Sequence, residues 1–384
     1  MARPEAVGPP RKGLCEIVAP SAESVMANAA LPPDARASPG ELDLPSSAWV
    51  AAYRTMVLAR AMDERCLSLQ RQGRIGFYVP LEGQEAAQVG CALALDAKDW
   101  VFPAYRELGV ALVRGVPIQE LLDQFIGNSG DRLKGRQMPN HYGYRAQNFV
   151  VASSPLGTQI PQAVGAALAA RRRGDPIVTV AFFGDGSTST NDFHAGLNFA
   201  GVFRSPTIFF CQNNQWAISM PRSRQTMSPT LAEKAEAYGF RGVVVDGTDL
   251  GQVYREVAQA RARALAGEGP TLLEAQVYRF GPHSTSDDPK RYRSDPEVAE
   301  WRRRDPLLRT KERIMKDGGW TEEQDAALWT EVRNRIAEAW KAAEATPPLP
   351  PTSFLEDVFS TPTPQLQIQR GEVESLLERK VIHE

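Results

Sequence analysis

The chain lacks the cysteine and histidine clusters from which disulfide scaffolds and many metal sites are built. Its four cysteines, Cys15, Cys66, Cys91 and Cys211, are scattered through 384 residues with no Cys-x-x-Cys and no metal-ligand spacing. They read as buried or incidental thiols in a reducing compartment. His141, His194, His283 and His383 form no His-Glu-x-x-His. The Walker A, Gly-x-Ser-x-Gly and dinucleotide Gly-x-Gly-x-x-Gly patterns are also missing, which leaves out the chemistries they carry. No apolar run is long enough to span a bilayer. Neither sign of charge dominates: 44 Lys and Arg against 46 Asp and Glu, a net charge of -2, give no whole-protein pull toward nucleic acid or a membrane surface. Any basic site must be local.

What is present suits a soluble α/β enzyme. At 42% hydrophobic and 23% charged, the chain can build a large core. Residues 1–47, rich in Pro and Ala, read as a flexible arm. Glu5, Glu16 and Glu23 argue against a secretory signal and against an acid-poor mitochondrial presequence, so a bacterial-type cytoplasmic location is expected. The main domain is expected over 48–348, with an α/β core at 152–281 and a helical part at 294–345, and 349–384 form a C-terminal tail. Trp49, Tyr53, Met56, Val57, Arg60 and Met62 give a helical period over 48–72. Helices are also expected within 79–95 and 106–113, and over 161–171, 250–266 and 365–383. Trp320-Thr321-Glu322-Glu323 reads as a helix start.

The chemistry centres on Gly184-Asp185-Gly186 and Asn213-Asn214. An apolar, strand-like run leads into each: Ile177 to Phe183 (IVTVAFF) and Thr207 to Cys211 (TIFFC). Two parallel strands joined by a helix carrying Phe193, Leu197 and Phe199 would set Asp185 and Asn214 at neighbouring carboxyl ends, where open α/β sheets bind ligands. One carboxylate, one amide oxygen and flanking glycines suit a diphosphate held through magnesium, which takes few protein ligands and keeps phosphate oxygens. Further strands are expected at Val243 to Val245 and Leu272 to Val277.

This frame resembles the thiamine diphosphate motif. From about Trp49 to Pro348 the chain is similar to the alpha subunit of the decarboxylating component of 2-oxo acid dehydrogenase complexes. The stretches that carry the resemblance are LEGQEAAQVG, VFPAYRELGV, GNSGDRLKGRQMPNHYG, SSPLGTQIPQAVGAA, GDGSTSTNDFHAGLNFAG, CQNNQWAIS, VDGTDLGQVY and FGPHSTSDDPKRYR. It implies the thiamine diphosphate-binding fold, a central mostly parallel sheet flanked by helices with helical N- and C-terminal extensions. By the same resemblance Asp185, Asn214 and the Trp216 carbonyl hold magnesium. Tyr105, Arg106, Ser154, Leu156, Gly186, Gln212 and His283 contact the cofactor together with Asp185 and Asn214, and His283 is also catalytic. A guanidinium such as Arg106 matches phosphate oxygens well, and a histidine can move protons near neutrality.

Phe77, Tyr105 and Leu156 match the pocket for the apolar tail of the oxo acid. Ser153, Pro155, Thr158 and Gln159 match positions that hold potassium in branched-chain members; read from the residues alone, they make an ordinary turn. His141 matches a supporting histidine, and His194 reads as structural. Asp287, Asp288, Arg291 and Arg293, with Arg279, are expected to stitch the His283 loop shut. Ser284 matches the position that a kinase modifies in mitochondrial relatives; no such regulation is expected here.

The implied chemistry is oxidative decarboxylation of a 2-oxo acid and transfer of the acyl group to a lipoyl group on an acyltransferase component. The glutamate that activates the cofactor belongs to a beta subunit, so an alpha2beta2 heterotetramer is expected and the chain alone is inactive. Two departures stand out: Gln212 replaces an arginine common in branched-chain members, and Ala104 replaces a polar residue. HSTSDD, SSPLGTQIPQA and RQMPNHYG favour branched-chain oxo acids, while Gln212 and FAGVFRSP are similar to some bacterial pyruvate members. The branched-chain branch is the expectation, with pyruvate as the alternative. A non-catalytic diphosphate-binding or scaffold subunit is the alternative of another class.

Overall fold

The computed structural model describes residues 43–379. Cys15, His383 and nearly all of the expected 1–47 arm lie outside them. Helix α1 (Ser46–Arg71) is buried almost all round, with Tyr53, Met56, Val57, Met62, Cys66 and Leu69 in the core. It runs to α2 (Glu85–Leu93), strand β1 (Trp100–Phe102), α3 (Leu108–Val113) and α4 (Ile118–Ile126). The central part holds α5 (Gln159–Arg173), β2 (Thr179–Gly184), α6 (Asn191–Val202), β3 (Thr207–Asn213) and the small hairpin β4 (Trp216–Ala217) and β5 (Met220–Pro221). Then come β6 (Arg241–Asp246), α7 (Leu250–Leu265), β7 (Thr271–Gln276), and helices α8 (Asp295–Arg302), α9 (Pro306–Lys316), α10 (Glu322–Ala345) and α11 (Pro364–Glu378).

Local chemistry sets these boundaries. The Thr190 hydroxyl accepts from the Phe193 amide to start α6, and Asp249 accepts from Gln252 to start α7. Thr321 and Gln324 form a reciprocal capping box at α10, the helix start expected at Trp320-Thr321. The sheet is parallel throughout, in the order β1-β2-β3-β7-β6. β1 was not expected from the sequence, and it extends the sheet upstream of 152–281.

The central strands β2 and β3 read as apolar runs because both sheet faces are covered there. Their side chains still alternate. Val180, Phe182, Ile208, Phe210 and Leu273 join the larger core with α1, α2, α7 and α10. Ala181, Phe183, Phe209, Cys211 and Leu272 join the second core with α5 and α6. Phe182 and Phe210 pack with ring centroids 5.2 Å apart across the β2–β3 pair, and cutting either to alanine should cost about 3–5 kcal/mol. Among the described residues no helix is long and apolar enough to cross a membrane.

Candidate active site

Three neighbouring strand ends build the site. The β2–β3 register pairs Gly184 with Gln212, so Asp185 and Asn214 leave adjacent strands at almost the same level. β7 lies on the other side of β3 and delivers Arg279 and His283 to the same edge. The crevice beyond the carboxyl ends of a parallel sheet is where such folds take ligands.

A cavity of about 490 Å3 opens there. Its lining brings together Phe77, Tyr105, Arg106, Ser154, Leu156, Asp185, Gly186, Gln212, Asn214, Trp216 and His283, along with the supporting His141. Ser153, Pro155, Thr158 and Gln159 stay outside the lining. Gln159 is turned into the sheet, its amide nitrogen donating to the Phe182 carbonyl at 2.7 Å, and the Thr158 hydroxyl donates to the Pro155 carbonyl at 3.1 Å. His194 is also remote, its ring bonded to the Tyr238 hydroxyl.

Asp185 is 1% exposed. Burial raises its carboxyl above the usual range, against the pull of the Gln225 amide, backbone amides at Asp185 and Asn214, and the charge of Arg279. The Gln225 amide reaches one Asp185 oxygen at 2.7 Å, and the Asn214 side-chain oxygen accepts from the Trp216 amide at 3.3 Å. The chain is folded tightly beyond that point: a Cβ on Gly186 would sit 2.8 Å from the Ala217 Cβ. Gln215 and Ile218 take positive φ, 74° and 54°. For a β-branched residue this is strained backbone, of order 1–3 kcal/mol, and it persists where the surroundings hold it. Arg279 does so, donating to the Trp216 and Ile218 carbonyls at 3.0 and 2.8 Å.

Arg106 is positioned by the neutral groups around it. It donates to the Pro80 carbonyl, to the His283 carbonyl at 3.1 Å and to His283 Nδ1 at 3.3 Å. His283 therefore carries its proton on Nε2 when neutral. Its pKa falls to about 3 through burial and the charges of Arg106 and Arg279. His141 donates from Nδ1 to the Pro139 carbonyl at 3.0 Å, leaving Nε2 to accept the Ser154 hydroxyl at 2.7 Å. The Tyr105 ring stacks near His141 and meets His283 edge-on.

The His283 loop is stitched through neutral partners, with no ion pair among its own residues. Asp287 accepts from the His283 amide at 2.7 Å and from the Tyr292 hydroxyl at 2.5 Å, and that hydroxyl also accepts from Arg279 at 3.0 Å. Arg293 caps the carbonyls of Arg279, Phe280 and Gly281. Asp288 caps the following turn, while Arg291 is exposed. Ser284 is buried.

Among the lining residues that sequence reasoning missed are Gln84, Glu107, Gln225 and, as a wall of the site, Arg279. Glu107 follows Tyr105-Arg106 directly, and Gln84 lies within LEGQEAAQVG, so both stood inside motifs already recognised. Gln225 had no signal in the sequence. Glu107 is buried and pushed up to about 7 by desolvation, against donors from Arg106 and Gln212.

The residues fit a magnesium diphosphate. Asp185, Asn214 and the Trp216 carbonyl are hard oxygen donors at one edge, and the guanidinium groups of Arg106 and Arg279 line the same cavity as donors suited to phosphate oxygens. Among the described residues no group of three or more His, Cys, Asp or Glu side chains could hold a metal by itself. Phosphate oxygens would have to complete the shell. Residues 53–352 match the family described as dehydrogenase E1 component. The chain is 46% identical over 346 residues to the 3-methyl-2-oxobutanoate dehydrogenase subunit alpha of Mycobacterium tuberculosis, covering 88% of this chain and 89% of that one. It is 44% identical over 328 residues to the human mitochondrial 2-oxoisovalerate dehydrogenase subunit alpha, covering 85% and 74%. To the Arabidopsis thaliana mitochondrial 2-oxoisovalerate dehydrogenase subunit alpha 1 it is 41% identical over 332 residues, covering 86% and 70%. With a parallel sheet, a shared crevice and a family match over most of its length, the chain belongs to the dehydrogenase E1 component family.

Proposed function

We propose that this chain is the alpha subunit of a branched-chain 2-oxo acid dehydrogenase, acting on 3-methyl-2-oxobutanoate and related oxo acids. The observation that carries the reading is the meeting of Asp185, Asn214, Arg106 and His283 in one cavity at adjacent strand ends. Thiamine diphosphate supplies an electron sink for decarboxylation when bound. Asp185, Asn214 and the Trp216 carbonyl hold its magnesium. Arg106, Ser154, Gln212 and the backbone at Leu156 and Gly186 contact the cofactor, and potassium at Ser153, Pro155, Thr158 and Gln159 would order the adjoining loop.

With its pKa lowered to about 3, His283 is neutral at physiological pH and presents Nε2–H, so it serves the site as a hydrogen-bond donor rather than as a proton donor. Phe77, Tyr105 and Leu156 give the oxo acid tail an apolar wall, worth about 0.8 kcal/mol per buried methyl-sized group. The partners are a beta subunit, in an alpha2beta2 assembly in the bacterial cytoplasm, and a lipoyl-bearing acyltransferase. Gln212 in place of an arginine favours pyruvate as the second reading. Co-expression with the beta partner and assay of 3-methyl-2-oxobutanoate against pyruvate, with and without thiamine diphosphate, tests both. Cofactor-dependent preference for the branched substrate is expected. Preference for pyruvate would overturn the branch, and cofactor binding with no turnover of either would overturn the enzyme reading.

A further inference from the structure

Gln84 is 1% exposed and lines the cavity, yet neither atom of its side-chain amide has a hydrogen-bond partner. Buried amides in folded proteins are almost always satisfied, so an orphaned pair in a binding cavity points to a ligand. The backbone fixes where this amide sits. Gln84 is the residue that opens α2. Its amide N–H donates to the Leu81 carbonyl at 3.1 Å, and its carbonyl accepts from the Gln88 amide at 3.1 Å. Gly83, with φ of +96°, packs so closely that a Cβ there would lie 2.2 Å from the Tyr278 carbonyl oxygen. The turn cannot relax outward.

Gln88, one helical turn on, shows which way this face of α2 looks. Its side-chain nitrogen reaches the Arg106 carbonyl at 3.0 Å and the Gln212 side-chain oxygen at 3.1 Å. Gln84 thus stands on the face directed at the end of β3, beside the guanidinium expected to take phosphate. Gln212 is tied down there: its oxygen accepts from Gln88, and its nitrogen donates to Glu107 at 2.6 Å. The position that the sequence offered as a phosphate donor is engaged with its neighbours, while an adjacent amide is free.

We propose that Gln84 is a cofactor-contacting residue whose side-chain N–H groups donate to the diphosphate, adding to Gln212, which already gives one N–H to Glu107. This rests on the reading of the cavity as a thiamine diphosphate site. An amide serves here because it donates without adding a negative charge, which Arg106 and Arg279 would otherwise have to neutralise.

The test uses the co-expressed alpha and beta assembly and two probes, magnesium thiamine diphosphate and magnesium pyrophosphate, titrated by calorimetry. Gln84→Met, close in length and without donors, should weaken both probes about 10- to 100-fold, the range of a lost hydrogen bond to a charged group. Gln84→Glu should weaken both further, and Gln84→Asn should restore part of the loss. Weakening of both probes by Gln84→Met, with an unchanged melting temperature, supports the inference. Unchanged affinity for both, or a raised KM for the oxo acid alone, overturns it and leaves the cofactor site standing. Wild-type protein that binds neither probe overturns the cofactor site itself and this inference with it. Should Gln84→Met fail to assemble, the Gln84→Glu and Gln84→Asn pair carries the same comparison.

Discussion

Two cavities of similar volume lie on this chain, about 530 and 490 Å3, and both are lined by arginines. In the first, each arginine is met by a carboxylate. Arg255 pairs with Asp43 at 2.5 Å, Arg309 with Asp246 and Asp249 at 2.8 and 3.3 Å, and Arg313 with Asp317 at 2.8 Å. In the second, Arg106 and Arg279 bond only carbonyls, a hydroxyl and an imidazole nitrogen. Their charge is not neutralised by any direct ion pair within the described residues. The low pKa of His283 reports part of that field, after burial itself. Size does not separate a binding site from a surface groove here; guanidinium groups left out of direct ion pairs do, although Glu107 and Asp185 share the lining with them.

The largest way to break this contrast is to remove the one carboxylate at the cation edge. Asp185→Asn should abolish magnesium-dependent cofactor binding, a loss of at least about 100-fold, since even outer-shell partners of a metal site cost 10–100-fold. Fluorescence titration with and without chelator reads it. Arg106→Met should cost about 10- to 100-fold in thiamine diphosphate affinity, the worth of a charged hydrogen bond of about 1.5–3 kcal/mol. Isothermal titration at two ionic strengths checks that number.

How far these residues were legible before the structure depends on what kind of signal each carries. The strands at 179–184 and 207–213 were readable because buried parallel strands are apolar runs, and 271–276 from its apolar Leu272, Leu273 and Ala275 despite the buried Glu274 between them. Strand β1 was not, since only Val101 and Phe102 of its three residues are buried and nothing periodic surrounds them. Helix α4 was missed too, though its apolar face is clear once Leu121, Leu122 and Phe125 are seen packed in the core. Asp185 and Asn214 were legible as a spaced pair, whereas Gln225 arrives from a loop with no motif. Gln84 was inside a recognised stretch and was passed over, because an amide's missing partner is visible only in three dimensions.

A sharper test of the field uses pH. The His283 pKa of about 3 lies below the unfolded value near 6.5, so the unfolded chain binds the extra proton first. Stability supplied by the neutral ring is present above about 6.5 and is lost as pH falls toward 3. At pH 5 the wild type should have lost about 2 kcal/mol from this group. Melting curves of the cofactor-free assembly from pH 7.5 to 5 should fall less steeply for His283→Gln. The smallest effect belongs to the paired cavity. Arg255→Ala should change stability by no more than about 1 kcal/mol, as exposed ion pairs do, and leave cofactor affinity untouched.

The most direct measurement is an experimental structure of the alpha and beta assembly prepared with thiamine diphosphate and magnesium. The metal is expected about 2.0–2.1 Å from oxygens of Asp185, Asn214 and the Trp216 carbonyl, with the phosphates beside Arg106 and His283. A cofactor seated elsewhere, or a metal that touches neither Asp185 nor Asn214, would contradict this placement.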